Sequence, residues 1–223
     1  MSPVCSRQTV DPVVSRAKFD REIGQFRGLE AAYRRRGILL FDAVFPTATV
    51  AFCGLRLQPV PLLGAVRIDF TDYDLLPPSV RFVDPLTGDD LRANAMTFRL
   101  LRLPPVEGMP RETQVSLLAQ GALVGQPVDL IQAHGPEELP FLCLPGVREY
   151  HDNPAHTGDP WLLHRASGEG SLAFIVESIW KFGPNALDRY VVQAGMEMEG
   201  LRLQTLVEAT KVSVGATLAT MPH

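Results

Sequence analysis

Four short apolar runs in the first half of the chain constrain the fold more than any other feature. They cover residues 38–45, 49–57, 65–70 and 79–83 and are rich in Val, Ile, Leu and Phe. Prolines and a glycine separate them. Connections this short join antiparallel neighbours, because a parallel crossover needs a dozen or more residues. The sequence therefore predicts a four-stranded antiparallel meander, with Asp42 and Arg67 on a face exposed to water.

Helices are predicted on both sides of this meander. Before it, apolar residues recur at spacings of three and four, as one face of an amphipathic helix requires; they are Phe19, Ile23, Phe26, Leu29 and Tyr33. After it, residues 171–182 have similar spacing, with Ser171 as the N-cap and Gly183-Pro184 as the stop. Residues 186–194 are predicted to begin another helix, and residues 201–212 suit either a helix or a strand.

The order of these elements predicts an α+β fold, with an N-terminal helix, a four-stranded antiparallel meander and C-terminal helices. Residues 1–15 are polar, contain proline and are expected to form a flexible arm. Residues 16–223 are expected to form a single domain with an insertion at about residues 90–138. No glycine-rich phosphate-binding motif of the Rossmann or P-loop type occurs in the sequence.

Charge, hydropathy and cysteine content exclude several classes of function. The formal net charge is −4, whereas nucleic-acid binders usually carry a basic excess, so no nucleic-acid partner is expected. No apolar run approaches the roughly 20 residues needed to span a bilayer, and no membrane association is expected. The N-terminal residues do not resemble a secretory signal, and three cysteines cannot make a disulfide framework. A cytoplasmic protein with reduced thiols is therefore expected.

The residues suited to chemistry are concentrated between residues 140 and 164. Cys143, Glu149, His151 and His156 form the pattern C-x5-E-x-H-x4-H, and His164 follows. A thiolate, a carboxylate and two imidazoles are ligands that zinc accepts, and their closeness in sequence would let one loop surround a single ion. One hypothesis is therefore a zinc site made by these four residues, with His164 as a spare ligand or a supporting partner.

A second hypothesis makes Cys143 a nucleophile. A catalytic thiol needs a lowered pKa or a nearby base, and the imidazole of His151 or His156 can provide either. The amide of Asn153 is of a type that stabilises an oxyanion. A third interpretation is that Cys143 is simply a small buried apolar residue. The residues alone leave these alternatives open.

Three segments resemble ubiquitin-conjugating enzymes, the proteins of the UBC-like fold. Residues 73–82, YDLLPPSVRF, resemble the family signature YPxxPPxVxF, and residues 141–144, FLCL, resemble its catalytic-cysteine segment. Asp159-Pro160-Trp161 and the helix predicted after it resemble the tryptophan-bearing loop that follows the family's cysteine. The resemblance implies a UBC-like fold in which Cys143 carries a ubiquitin-like modifier as a thioester, received from an activating enzyme. It implies no cofactor, because the ATP chemistry belongs to the activating enzyme.

Residues 139–164 also resemble a bacterial family described as predicted metal-binding proteins with a Cys-Glu-His-His pattern. That family is associated with ubiquitin-like conjugation operons, so both resemblances imply the same pathway and differ in the role of Cys143. In conjugating enzymes a His-Pro-Asn motif precedes the cysteine, whereas here His151-Asp152-Asn153-Pro154 follows it. His151 and Asn153 are therefore expected to assist Cys143 from the other side of the loop. The alternative is a non-catalytic zinc-binding UBC-like adaptor that uses Cys143, Glu149, His151 and His156.

Overall fold

The protein is described by a computed structural model that covers residues 8–120, 122, 126–197 and 202–212. The helices are α1 (Pro12–Gly28), α2 (Glu30–Arg35), α3 (Arg111–Ala119), α4 (Arg148–Asp152) and α5 (Leu172–Phe182). The strands are β1 (Ile38–Val44), β2 (Thr47–Cys53), β3 (Leu62–Asp69), β4 (Ser79–Val83), β5 (Leu101–Arg102), β6 (Val128–Asp129), β7 (Ile131–Gln132), β8 (Phe141–Leu142), β9 (Leu187–Glu197) and β10 (Arg202–Val212). Within the described residues, no helix is long and apolar enough to cross a membrane.

The α+β prediction and the four-stranded antiparallel meander are confirmed. The sheet order is β1-β2-β3-β4, and every neighbouring pair is antiparallel. Strand β2 ends at Cys53, four residues before the predicted end of the strand at residue 57. Residues 54–57 form a turn instead, in which the Leu57 amide donates to the Gly54 carbonyl. A side chain at Gly54 would collide with Leu57, which is itself buried in the core. Leu57, predicted as the last residue of the strand, is therefore a core residue that lies in the turn.

The inner face of the meander is covered by helices from the two halves of the chain. Alternate residues of the strands are buried there: Ala48, Val50, Phe52, Val66, Ile68, Val80 and Phe82. Helix α1 and helix α5 pack against this face in one core. The residues they bury are Phe19, Ile23 and Phe26 of α1 and Leu172, Ile175, Val176 and Ile179 of α5. The apolar face predicted for residues 171–182 is thus the face that closes the core.

Two helix predictions need correction. The predicted N-terminal helix is broken at Leu29, which lies between α1 and α2 and is 53% exposed, whereas Tyr33 beyond the break is buried. Residues 186–194 are not a helix, because Leu187–Glu197 forms a strand paired with Arg202–Val212. The run Tyr190-Val191-Val192 combines an aromatic with two β-branched residues, which favour strands. Leu201 lies outside the described residues, and the remainder of its segment is a strand.

The segment predicted as an insertion supports the end of the sheet. Leu100 and Leu130 are buried in the main core, and β7 pairs with β8 immediately before Cys143. Leu101–Arg102 pairs with Val128–Asp129, and strands of two residues leave no periodicity that the sequence could reveal. The division of the chain into an arm and one domain with an insertion stays a prediction.

The N-terminal residues are attached to the fold earlier than expected. Helix α1 begins at Pro12, four residues before residue 16, where the domain was predicted to begin. The Asp11 side chain caps the helix by accepting from the Val13 amide. The amides of Thr9 and Val10 donate to Oδ1 of the buried Asp72, at 2.6 and 2.7 Å. Residues 1–7 of the predicted arm, with Cys5, lie outside the described residues, as do residues 213–223 of the predicted domain.

The carboxylate of Glu22 joins the two core helices, and its removal gives a test of this packing. Glu22 is 3% exposed, and its Oε2 accepts from the Leu172 amide at the start of α5, at 3.1 Å. We expect Glu22→Ala to lower the free energy of unfolding by about 1–3 kcal/mol, because a buried amide loses its acceptor. Chemical denaturation measures this loss, with exposed Asp20→Asn on the same helix as the control. A loss no larger than that of the control would contradict this role.

Candidate active site around Cys143

Cys143 directly follows β8, which pairs with β7 beside β4 of the meander, and a long loop begins there. The Cys143 amide donates to the Leu130 carbonyl at 2.7 Å, which fixes the residue against the segment predicted as an insertion. The whole residue is 8% exposed. Burial raises the pKa of the Cys143 thiol, and the nearby positive charge of Arg102 opposes this only in part. The thiol is therefore protonated at neutral pH and needs a base to become a nucleophile.

An imidazole lies beside this thiol. The Nε2 atom of His156 is 3.5 Å from Sγ of Cys143, within hydrogen-bond distance for sulfur. The His156 ring stacks on the Tyr150 ring, with centroids 3.9 Å apart and planes 20° apart. The Tyr150 hydroxyl donates to Oδ2 of Asp159 at 2.7 Å, so the stacking surface is itself held. The structure thus brings together Cys143 and His156, two residues that both sequence hypotheses included.

Asn153 acts on this pair from a distance. Its Oδ1 accepts from the Ala155 amide at 3.0 Å and caps the short 3-10 helix Pro154–His156. Side-chain caps of this kind fix the first turn of a helix. The Asn153 side chain therefore helps to place His156, and its carbonyl oxygen is occupied by this cap.

His151 has both ring nitrogens engaged with the loop backbone. Its Nδ1 lies 2.9 Å from the Asp159 carbonyl oxygen, so this nitrogen carries the proton and donates. Its Nε2 accepts from the Gly146 amide at 3.3 Å. Burial lowers the pKa of His151, and the positive charge of His164 lowers it further. His151 is consequently neutral and bridges residues 146 and 159. Its two ring nitrogens bond to the backbone rather than to the thiol.

Gly146 lies at one end of this His151 bridge, in a position suited only to glycine. Its φ of +91° lies in the left-handed region, and a Cβ atom would collide with the Glu169 carbonyl. The two ends of the loop approach each other closely at this residue. The close approach keeps Cys143 and the segment before α5 side by side.

Glu149 faces the sheet. Its carboxylate accepts from the Ser79 hydroxyl and from the Val80 amide, the latter at 3.1 Å, and Arg81 lies 3.7 Å away. In the described part of the chain, no three His, Cys, Asp or Glu side chains are placed to hold one metal ion. The structure therefore does not assemble Cys143, Glu149, His151 and His156 into one ligand set, and zinc binding stays a prediction.

His164 forms a charged cluster that the sequence reasoning did not identify. Its Nε2 is 2.6 Å from Oδ1 of Asp159, and its Nδ1 contacts the Glu169 carboxylate. The hydrogen bond to Asp159 is the main cause of the raised pKa of His164, and Glu169 adds to it. The two acids lie five residues before and after His164. That spacing was the only sequence signal, and it is weak because it fits neither helix nor strand periodicity.

Two of the segments that resemble conjugating enzymes, residues 73–82 and the segment of Trp161, meet at the Trp161 side chain. Its indole Nε1 donates to the Asp74 carbonyl at 3.0 Å, and its ring lies against Gly170, which in turn lies against Pro78. Arg148 donates from Nε to the Pro77 carbonyl at 3.1 Å and so ties α4 to the same segment. The proline-rich segment therefore supports the loop that carries Cys143 and His156.

The raised pKa of Cys143 predicts how the thiol reacts. In a Cys5→Ser/Cys53→Ser background, we expect iodoacetamide to alkylate Cys143 with a pH midpoint above that of the same chain unfolded in urea. The physical reason is that burial disfavours the thiolate. Mass spectrometry measures the rate at each pH. A midpoint below that of the unfolded chain would reveal a thiolate–imidazolium pair and contradict the prediction.

The His164 cluster predicts a pH-dependent contribution to stability. A pKa raised above its unfolded value of about 6.5 stabilises the fold fully below that value, and the contribution disappears as the pH rises through the folded value. We therefore expect His164→Gln to lower Tm more at pH 6 than at pH 9. Thermal unfolding across this range measures the difference, with the exposed His134→Gln as the control. An equal effect of His164→Gln at both pH values would contradict this role.

Comparison with known proteins identifies the family of the chain. The model of the Y4jH-like family, described as the Y4jH family, matches residues 10–187 and so includes the whole loop around Cys143. The protein y4jH of Sinorhizobium fredii (strain NBRC 101917 / NGR234) is 48% identical over 194 residues, which are 87% of this chain and 94% of that protein. The chain therefore belongs to the Y4jH family.

Proposed function

We propose that this protein is a ubiquitin-conjugating-enzyme-like acyl carrier of a bacterial ubiquitin-like modification system. In this proposal, Cys143 holds the C-terminal carboxyl group of a small modifier as a thioester and passes it to an amine. The observation that carries the proposal is the contact between Cys143 Sγ and His156 Nε2 at 3.5 Å. We infer the modification pathway from the resemblance of residues 73–82 and 141–144 to conjugating enzymes.

The first step is an exchange of thioesters. His156 Nε2 accepts the Sγ proton as Sγ attacks the carbonyl carbon of the modifier, which is bound to a thiol of the activating enzyme. The carbon–sulfur bond to the activating enzyme breaks, and its thiol leaves with the proton. In the second step an amine attacks the Cys143 thioester, an amide bond forms, and the Cys143 thiol is regenerated with a proton from the amine.

The base in this scheme is His156 rather than His151. Burial keeps the Cys143 thiol protonated, so the proton has to leave towards an acceptor in contact with Sγ. His156 is in that contact, whereas the Nε2 of His151 already accepts from the Gly146 amide. Asn153 and Tyr150 act as positioning residues, through the cap and the ring stack that hold His156.

Arg102 supplies a positive charge in the region of the developing oxyanion in this scheme. Its charge lowers the pKa of Cys143 and that of Tyr150, so it lies close to both side chains. A guanidinium beside the reacting carbon would stabilise the tetrahedral intermediate electrostatically. The partners are the modifier and its activating enzyme, and the carrier needs no cofactor of its own. We place it in the cytoplasm, where the free thiols of Cys53 and Cys143 would stay reduced.

A chemical acyl donor tests the proposal without the natural partners. The probe is a short peptide that ends in Gly-Gly as its mercaptoethanesulfonate thioester, incubated with the Cys5→Ser/Cys53→Ser protein. We expect intact mass to show one acyl group on Cys143, released by hydroxylamine and absent after Cys143→Ser. We expect His156→Gln to slow acylation about 100-fold, in the range typical of general-base catalysis. His134→Gln is the matched control, because His134 lies in an exposed loop before β8.

Two results would overturn the carrier. One is acylation that persists in Cys143→Ser, and the other is an equal rate in His156→Gln and His134→Gln. The zinc adaptor of the sequence analysis predicts a third result, about one zinc per chain in protein purified without chelator and none in Cys143→Ser. Elemental analysis of the same preparations detects it, and a thiolate bound to zinc would exclude the acyl carrier.

A further inference from the structure

A second pocket lies between the end of α2, the turn after β2 and the end of α5. Its volume is about 180 Å³, and it shares no lining residue with the site around Cys143. Three arginines, an amide and three apolar side chains line it together with a thiol: Arg35, Arg36, Arg56, Asn185, Leu55, Trp180, Pro184 and Cys53. The acyl-carrier proposal uses none of them.

The charge of this pocket is of one sign. No carboxylate lines it, although the chain as a whole has a net charge of −4. A larger cavity of about 350 Å³ beside β1 is lined by Arg27 with Glu30 and Asp42, so its charges are mixed. The smaller pocket therefore concentrates guanidinium groups without carboxylates, whereas this larger cavity does not.

Two of the three arginines are available to a ligand. Arg36 is paired with Glu177, and its guanidinium stacks 3.8 Å above the Trp180 ring. These contacts hold the Arg36 side chain in place where it lines the pocket. Arg35 and Arg56 are exposed, and neither has an ion pair among the residues that the structure describes. They leave two positive charges without local neutralisation.

The carbonyl groups at the end of α2 are engaged within the protein. The carbonyl groups at the end of a helix normally carry partial negative charge, which would repel one. Here the Tyr33 and Arg34 carbonyls accept from the Arg36 and Gly37 amides, and the Arg36 carbonyl accepts from Trp180 Nε1 at 2.8 Å. These three carbonyls are therefore engaged with donors of the protein itself, and the charged side chains that line the pocket are all guanidinium groups.

We propose that this pocket binds the phosphoryl group of a small phosphorylated molecule. A phosphate monoester carries nearly two negative charges at neutral pH, which match the free charges of Arg35 and Arg56. Guanidinium forks bind phosphate oxygens in pairs, and the Asn185 amide provides a further donor. The volume of about 180 Å³ is below the range of about 300–1,000 Å³ usual for drug-sized ligands, so the ligand is small.

The test uses inorganic phosphate and glycerol 3-phosphate on the whole chain, with ionic strength held constant by sodium chloride. A Cys5→Ser/Cys143→Ser background leaves Cys53, on the pocket wall, as the single thiol. We expect both ligands to raise Tm and to slow alkylation of Cys53, each saturably. We expect Arg35→Gln/Arg56→Gln to weaken binding at least about tenfold, because two charged hydrogen-bond donors are lost.

Arg16→Gln/Arg27→Gln is the matched control, because it removes the same charge from exposed positions on α1. Equal weakening by both double variants would overturn the proposal, since the effect would then come from net charge alone. An absence of saturation with either ligand would also overturn it. Binding of inorganic phosphate without glycerol 3-phosphate would exclude a monoester as the ligand. None of these results depends on acylation of Cys143. The phosphate-binding proposal and the acyl-carrier proposal are therefore tested independently.

Discussion

The apolar inner face of the meander has to be covered, and the rest of the structure depends on how the chain does this. One cover, α1, precedes the sheet, and the other, α5, follows it by about 90 residues. The buried carboxylate of Glu22 links them by accepting from the Leu172 amide. Residues 143–171 therefore run between two fixed points, the end of β8, which is paired with β7, and the start of α5. A loop fixed at both ends can hold a side-chain pair far more precisely than a free loop.

Polar contacts shape that loop together with the burial of Leu144, Val147 and Trp161. Three imidazoles lie in it, and their surroundings give them different properties. Burial keeps His151 neutral, and two carboxylates raise the pKa of His164. The rings of these two are 5.5 Å apart, so the charge on His164 itself disfavours a proton on His151. His156 alone among the three contacts the thiol. The division of roles follows from which polar groups each ring meets.

The sequence predicted the parts of the fold that have a long regular period. The meander and α5 follow from apolar alternation, helical spacing and turn residues. The break at Leu29 and the two-residue strands around Cys143 leave no such period, and Tyr190-Val191-Val192 was misread because apolar spacing outweighed β propensity. In the site, residue types and spacing indicated His151 and His156 alike as partners of Cys143, whereas the structure places His156 beside the thiol and His151 on the loop backbone. They did not reveal that the Val80 amide and Ser79 hydroxyl would hold Glu149, since a contact 70 residues away has no local signal.

The two described thiols differ in their polar surroundings rather than in a lowered pKa, although Cys143 is buried and Cys53 is half-buried. Burial raises the pKa of both Cys53 and Cys143, so neither is a thiolate by virtue of its surroundings. Cys143 differs in having His156 in contact and Arg102 nearby, whereas the pKa of Cys53 responds to burial alone. In the acyl-carrier proposal, the reactivity of Cys143 would therefore depend on the placement of one imidazole. Tyr150 and Asn153 hold His156 through the ring stack and the cap, so that reactivity would depend on the loop as a whole.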